Sequence, residues 1–87
     1  MTGNDGDSPV PTVLDAIRAE WGAVLGRDVG PREDFFAVGG DSLQAIDVAD
    51  RIRQRLGVPL EFIDLFDHPT PDALAARVEQ LREQADR

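Results

Sequence analysis

Three stretches of this chain bring an apolar residue back at every third or fourth position, the spacing that lines one side of an α-helix. The first holds Val13, Leu14, Ile17, Trp21, Val24 and Leu25, with Pro11 near its start and Gly26 as its stop. The second is expected to run from residue 41 or 42 to residue 56; it gathers Ala45, Val48, Ala49, Ile52 and Leu56 on one face and ends at Gly57. The third carries Leu74, Val78 and Leu81 behind Thr70-Pro71-Asp72, which supplies an N-cap, a proline at the first helical position and an acid in the first turn. Such stripes are buried only against one another, so the chain reads as an all-α bundle of three longer helices, with a short one expected in the apolar segment 59–66. Trp21 is in register with its stripe and reads as core.

At 87 residues there is room for one small domain, and no cysteine is present to staple it. The domain is placed at residues 11–84, with residues 1–10 as a disordered tail rich in Gly, Asp, Ser and Thr and residues 85–87 as a frayed end. A chain without thiols is indifferent to redox compartment; the cytoplasm is expected, and any thiol chemistry has to come from a cofactor. No apolar run approaches the roughly 20 residues that span a bilayer, so no membrane partner is expected. The 17 acidic residues outnumber the 9 basic ones, all arginine, for a net charge of -8. Nucleic acid is therefore excluded as a partner, because phosphate backbones are held by clustered positive charge.

The familiar catalytic patterns fail on named residues. A hydrolase elbow needs glycine two positions after its serine, and after Ser42 that position is Gln44. A phosphate-binding P-loop needs lysine, and Asp5-Gly6-Asp7 lacks the spacing and terminal glutamate of a calcium loop. His68 is the single histidine and precedes Pro69 in a turn, with nothing to complete a dyad or a metal site. The chain is read as having no catalytic and no metal-binding residues, so not as an enzyme.

What does look built for chemistry is the junction Gly39-Gly40-Asp41-Ser42-Leu43. Residues 27–40 show neither helical nor strand periodicity and contain Gly30, Pro31, Gly39 and Gly40, a long connection for so small a domain. Val29, Phe35, Phe36 and Val38 are expected to pin it to the helices, although two adjacent phenylalanines need not be equally buried. Asp41 then caps the second helix and Ser42 falls in its first turn, where unpaired N–H groups and the positive end of the helix dipole face outward. A phosphate esterified to the Ser42 hydroxyl is well placed there.

On the second helix Leu43 lies nearly opposite the core stripe, on an arc with Asp47, Asp50 and Gln54, while Ile46 sits at its margin. Leu43, Ile46, Asp47 and Asp50 read as a docking face for enzymes with complementary apolar and basic surfaces. Segment 59–66 points its apolar residues in too many directions to bury them all; one or two stay exposed, and Phe62 and Ile63 are assigned to the same face.

The stretch Asp34-Phe35-Phe36-Ala37-Val38-Gly39-Gly40-Asp41-Ser42-Leu43 resembles the attachment-site signature of peptidyl carrier proteins from nonribosomal peptide synthesis. Glu20-Trp21-Gly22-Ala23-Val24-Leu25-Gly26 is similar to the end of that family's first helix. Val58-Pro59-Leu60 and Leu65-Phe66-Asp67-His68-Pro69-Thr70 are similar to its short third helix and the entry to its last. The resemblance covers roughly residues 12–82 and implies an acyl-carrier-like four-helix bundle with a long loop between helices one and two. It further implies that a phosphopantetheinyl transferase attaches 4'-phosphopantetheine to Ser42, with Gly39, Gly40, Asp41 and Leu43 as motif neighbours. Aminoacyl, aryl or peptidyl groups are then held as thioesters. An adenylating enzyme and condensing or tailoring enzymes follow as partners of a monomer, read from Met1 and a chain ending after one domain as freestanding. Two alternatives stand beside this reading. An acyl carrier of fatty-acid or polyketide synthesis shares Asp41-Ser42-Leu43 but fits the Phe-Phe pair and double glycine less well. A non-carrying helical adaptor keeps the fold without the chemistry.

Overall fold

The computed structural model describes residues 12–85, in the order α1 (Val13–Leu25), α2 (Ser42–Leu56), α3 (Ile63–Asp67) and α4 (Pro71–Ala85). The tail expected at 1–10 and the fray expected at 85–87 fall outside the described residues, apart from Ala85, the last residue of α4. No helix among the described residues is long and apolar enough to cross a membrane.

Local chemistry sets the ends of the long helices. At the start of α1 the Asp15 N–H donates to Thr12 Oγ1 at 3.0 Å and the Thr12 N–H donates to the Asp15 carboxylate at 3.2 Å, a reciprocal box. Gly26 and Gly57 close α1 and α2 by donating back to the Gly22 and Arg53 carbonyls. At α4 the expected cap is present, with the Ala73 N–H on Thr70 Oγ1 at 3.2 Å and Pro71 at the first helical position.

α1 packs against both α2 and α4, and α3 packs on α4. The core joins Ile17 and Trp21 of α1 to Ala45, Val48, Ala49 and Ile52 of α2 and to Leu74, Val78 and Leu81 of α4. Val29, Phe35, Val58, Leu60 and Leu65 fill it from the connections and α3. Five stripe residues are less buried than their spacing suggests: Val13, Leu14, Val24 and Leu25 of α1 and Leu56 of α2 are only partly covered. Periodicity fixes which face a residue takes, while depth depends on where the partner helices end.

The third helix is shorter than segment 59–66. Residues 57–61 stay non-helical and α3 makes little more than one turn, its entry held by Asp64, whose Oδ2 accepts the Glu61 N–H at 3.0 Å. The other oxygen of Asp64 meets Arg77 Nε of α4 at 3.0 Å, and the aspartate is buried. Arginines also secure both connections: Arg18 Nε donates to the Val29 carbonyl and Arg53 Nη1 to the Leu60 carbonyl, each at 2.7 Å.

Candidate functional site

The loop that leads to Ser42 is fixed in two steps. In its first half the Glu33 carboxylate accepts the Gly30 N–H at 2.7 Å and the Arg27 guanidinium at 3.2 Å. The Gly30 bond first, and then the Arg27 charge, hold Glu33 below the ordinary glutamate pKa. In its second half Asp34 Oδ1 accepts the N–H groups of Phe36 and Ala37 at 2.9 and 3.1 Å, which turns the chain. The Phe35 N–H donates to the Pro69 carbonyl at 2.7 Å, so the loop is tied to the connection between α3 and α4.

The adjacent phenylalanines part company here. Phe35 is fully buried and meets Trp21 edge-on, with ring centres 4.9 Å apart. Phe36 is half-buried and stacks on Phe66 of α3 at 4.9 Å and 19°. Val38 remains half-buried outside the core. Gly40 donates to the Phe35 carbonyl at 2.9 Å, and a Cβ at Gly40 would stand 2.3 Å from the Phe35 ring and 2.7 Å from its carbonyl oxygen. Only a residue without a side chain fits against the ring at that distance. Gly39, at φ 104°, takes a backbone conformation closed to most side chains.

Those contacts deliver α2 with its N-terminus open. Asp41 is the N-cap: its Oδ1 accepts the Gln44 N–H at 2.9 Å, and Gln44 Oε1 accepts the Asp41 N–H at 3.1 Å. Gln44 enters the sequence reading only as the residue that breaks a hydrolase elbow, though the spacing Asp-x-x-Gln is the signature of this box. Ser42 is exposed at the first helical position, and the box leaves its N–H and that of Leu43 without an intrahelical acceptor. An anionic phosphodiester on the Ser42 oxygen fits this donor set, since two outward N–H groups and the helix dipole favour negative charge at that place.

Of the expected docking residues, Leu43 is 77% and Ile46 45% exposed on α2. Asp47 and Asp50 are exposed too, and each carboxylate already faces an arginine of its own helix: Asp47 lies 3.5 Å from Arg51, and Asp50 pairs with Arg53. Phe62 and Ile63 are exposed on α3 or its entry, and Phe66 joins them at 42% exposure, so three apolar residues there stay open where one or two were expected. Phe66 could have been found from its place four residues after Phe62, one turn along the same face.

The sequence profile of the family described as "Phosphopantetheine attachment site" matches residues 15–78. The chain is 40% identical over 76 residues to N-(5-amino-5-carboxypentanoyl)-L-cysteinyl-D-valine synthase of Amycolatopsis lactamdurans, an alignment that takes in 84% of this chain and 2% of that protein. The chain thus spans a small fraction of the length of that curated relative. Among solved structures it is similar to BlmI, a type-II acyl-carrier-protein from Streptomyces verticillus involved in bleomycin biosynthesis. The TM-score is 0.75 at 33% identity, covering 78% of this chain and 83% of that one. It is also similar, at TM-score 0.75 and 34% identity over 84% of this chain and 96% of the other, to a chain of the complex of the phosphopantetheine transferase Sfp with coenzyme A and a peptidyl carrier protein. The group this family carries is 4'-phosphopantetheine. With a carrier bundle and an open serine at the head of α2, the chain belongs to the phosphopantetheine-attachment family, as a peptidyl carrier protein of the nonribosomal peptide synthesis type.

Proposed function

We propose that Ser42 is the attachment residue, and that the chain receives aminoacyl, aryl or peptidyl cargo there and presents it to partner enzymes. The observation that carries this is the Ser42 hydroxyl, exposed at the first position of α2 with two uncommitted N–H groups beside it. When bound, the prosthetic group supplies the terminal thiol that this cysteine-free chain lacks. The chain's own residues present the hydroxyl. Gly40 and Phe35 fix where the helix begins, Asp41 and Gln44 keep its first turn wound, and the Ser42 and Leu43 N–H groups would hold the phosphate. Asp41 Oδ1 accepts the Gln44 N–H in the cap of α2, and the base that accepts the serine proton is assigned to the transferase. Ser42 is modified and does not catalyse.

Leu43, Ile46, Asp47 and Asp50, with Phe62 and Ile63, form the docking face in this reading. A phosphopantetheinyl transferase, an adenylating enzyme and condensing or tailoring enzymes are the partners, each meeting a monomer. The test is intact-protein mass after incubation with coenzyme A, magnesium and a broad-specificity transferase. A gain of one phosphopantetheine by the native chain and none by Ser42→Ala is expected. A folded native chain that gains nothing, beside a known carrier modified in the same tube, would sink the reading in favour of a helical adaptor.

A further inference from the structure

We infer that Phe66 is a positioning residue for Ser42: by stacking on Phe36 it holds the loop that presents the serine, and so couples α3 to the attachment site. Five aromatic rings run in one unbroken series from the core to the surface. Trp21 meets Phe35 at 4.9 Å, Phe35 meets Phe36 at 5.2 Å, Phe36 stacks on Phe66 at 4.9 Å, and Phe66 meets Phe62 edge-on at 6.1 Å. The series touches the Ser42 loop in the middle. Phe35 occupies the space a side chain at Gly40 would need, and the Gly39 and Gly40 N–H groups donate to the Phe36 and Phe35 carbonyls. Asp41 and Ser42 follow directly.

The helix at the other end of the series has few anchors of its own. α3 is five residues long and is held to α4 by the Asp64–Arg77 pair and the buried Leu65. A phenylalanine that only filled space would be buried, yet Phe66 is 42% exposed, with one face committed to Phe36. It is therefore placed both to be reached from outside and to press on the loop. The Phe35 N–H bond to the Pro69 carbonyl gives a second tie, from the chain just beyond α3 to the same loop. Whatever displaces α3 acts on the loop through both.

The kinetic arm of the test rests on Ser42 being the attachment residue; the exchange arm does not. In the free protein, Phe66→Ala is expected to speed amide hydrogen exchange at Gly39 and Gly40 by about three- to tenfold, leaving Val48 and Ile52 of α2 unchanged. Phe66→Tyr, which keeps the ring and turns its hydroxyl to solvent, restores slow exchange. Phe66→Leu, apolar but ringless, does not, and carries the test should Phe66→Ala fail to fold. With the transferase, the ringless variants are expected to lose kcat by a similar factor while KM for the carrier holds. A rise in KM with native exchange at Gly39 and Gly40 would overturn the inference, leaving Phe66 a plain contact residue. Unchanged kinetics and exchange, or faster exchange spread evenly over α1, α2 and α4, would overturn it as well. A native chain that takes up no group sinks the attachment reading instead, and the exchange result still decides this one.

Discussion

Gly40 meets the Phe35 ring with no room for a methyl group, so Gly40→Ala forces the loop off the core. A loss of about 1–3 kcal/mol in urea unfolding is expected, with slower modification of Ser42; an unchanged midpoint would show that the ring yields freely. Leu43 presents the opposite case. At 77% exposure it has little to lose from the core, so Leu43→Asp should leave the melting temperature within about 2 °C of the native value while lowering transfer to partner enzymes. A large fall in melting temperature would mean that the leucine is buried in solution. Leu43 was legible in the sequence because a helical wheel set it against Ala45, Val48 and Ile52. The Phe35 and Phe36 pair was not, since neighbours in an aperiodic loop have no wheel. Their division into core and surface follows from the Asp34 turn and the Pro69 carbonyl, a contact 34 residues away in sequence.

The three long helices were readable from their stripes and stops, and α2 and α4 begin where their caps indicated. α3 was readable only as an apolar segment, because what holds it is tertiary. Asp64 and Arg77 lie 13 residues apart, on different helices, and no local pattern pairs them. Arg77→Ala leaves a buried carboxylate with only the Glu61 N–H as partner, and should cost about 1–3 kcal/mol, centred on α3. Adding Asp64→Asn is expected to recover part of that loss, because a neutral amide is buried at lower cost. Chemical shifts of residues 61–67 are the measure; changes spread evenly through α1 and α2 would refute a local role for the pair.

Across the whole molecule the excess of acid is large, with a formal charge of -8. Association with a basic enzyme should then be steered by the field: raising salt from about 0.1 to about 1 M shortens the screening length from ~10 to ~3 Å. The expected result is a fall of about tenfold in kcat/KM for the transferase with kcat nearly constant, and an indifferent rate would leave the charge to solubility alone. Part of the acid is occupied inside the molecule. Glu20 of α1 receives Arg51 at 3.4 Å and Arg55 at 2.9 Å, clamping α1 to α2, while Arg51 also faces Asp47 and Arg53 holds Asp50. On the proposed docking face a visitor's cation therefore meets carboxylates that already face arginines of their own helix, and it competes with those arginines for the same charge. In that proposal the net gain from each charged contact is small, which favours brief residence and lets one carrier be handed from enzyme to enzyme.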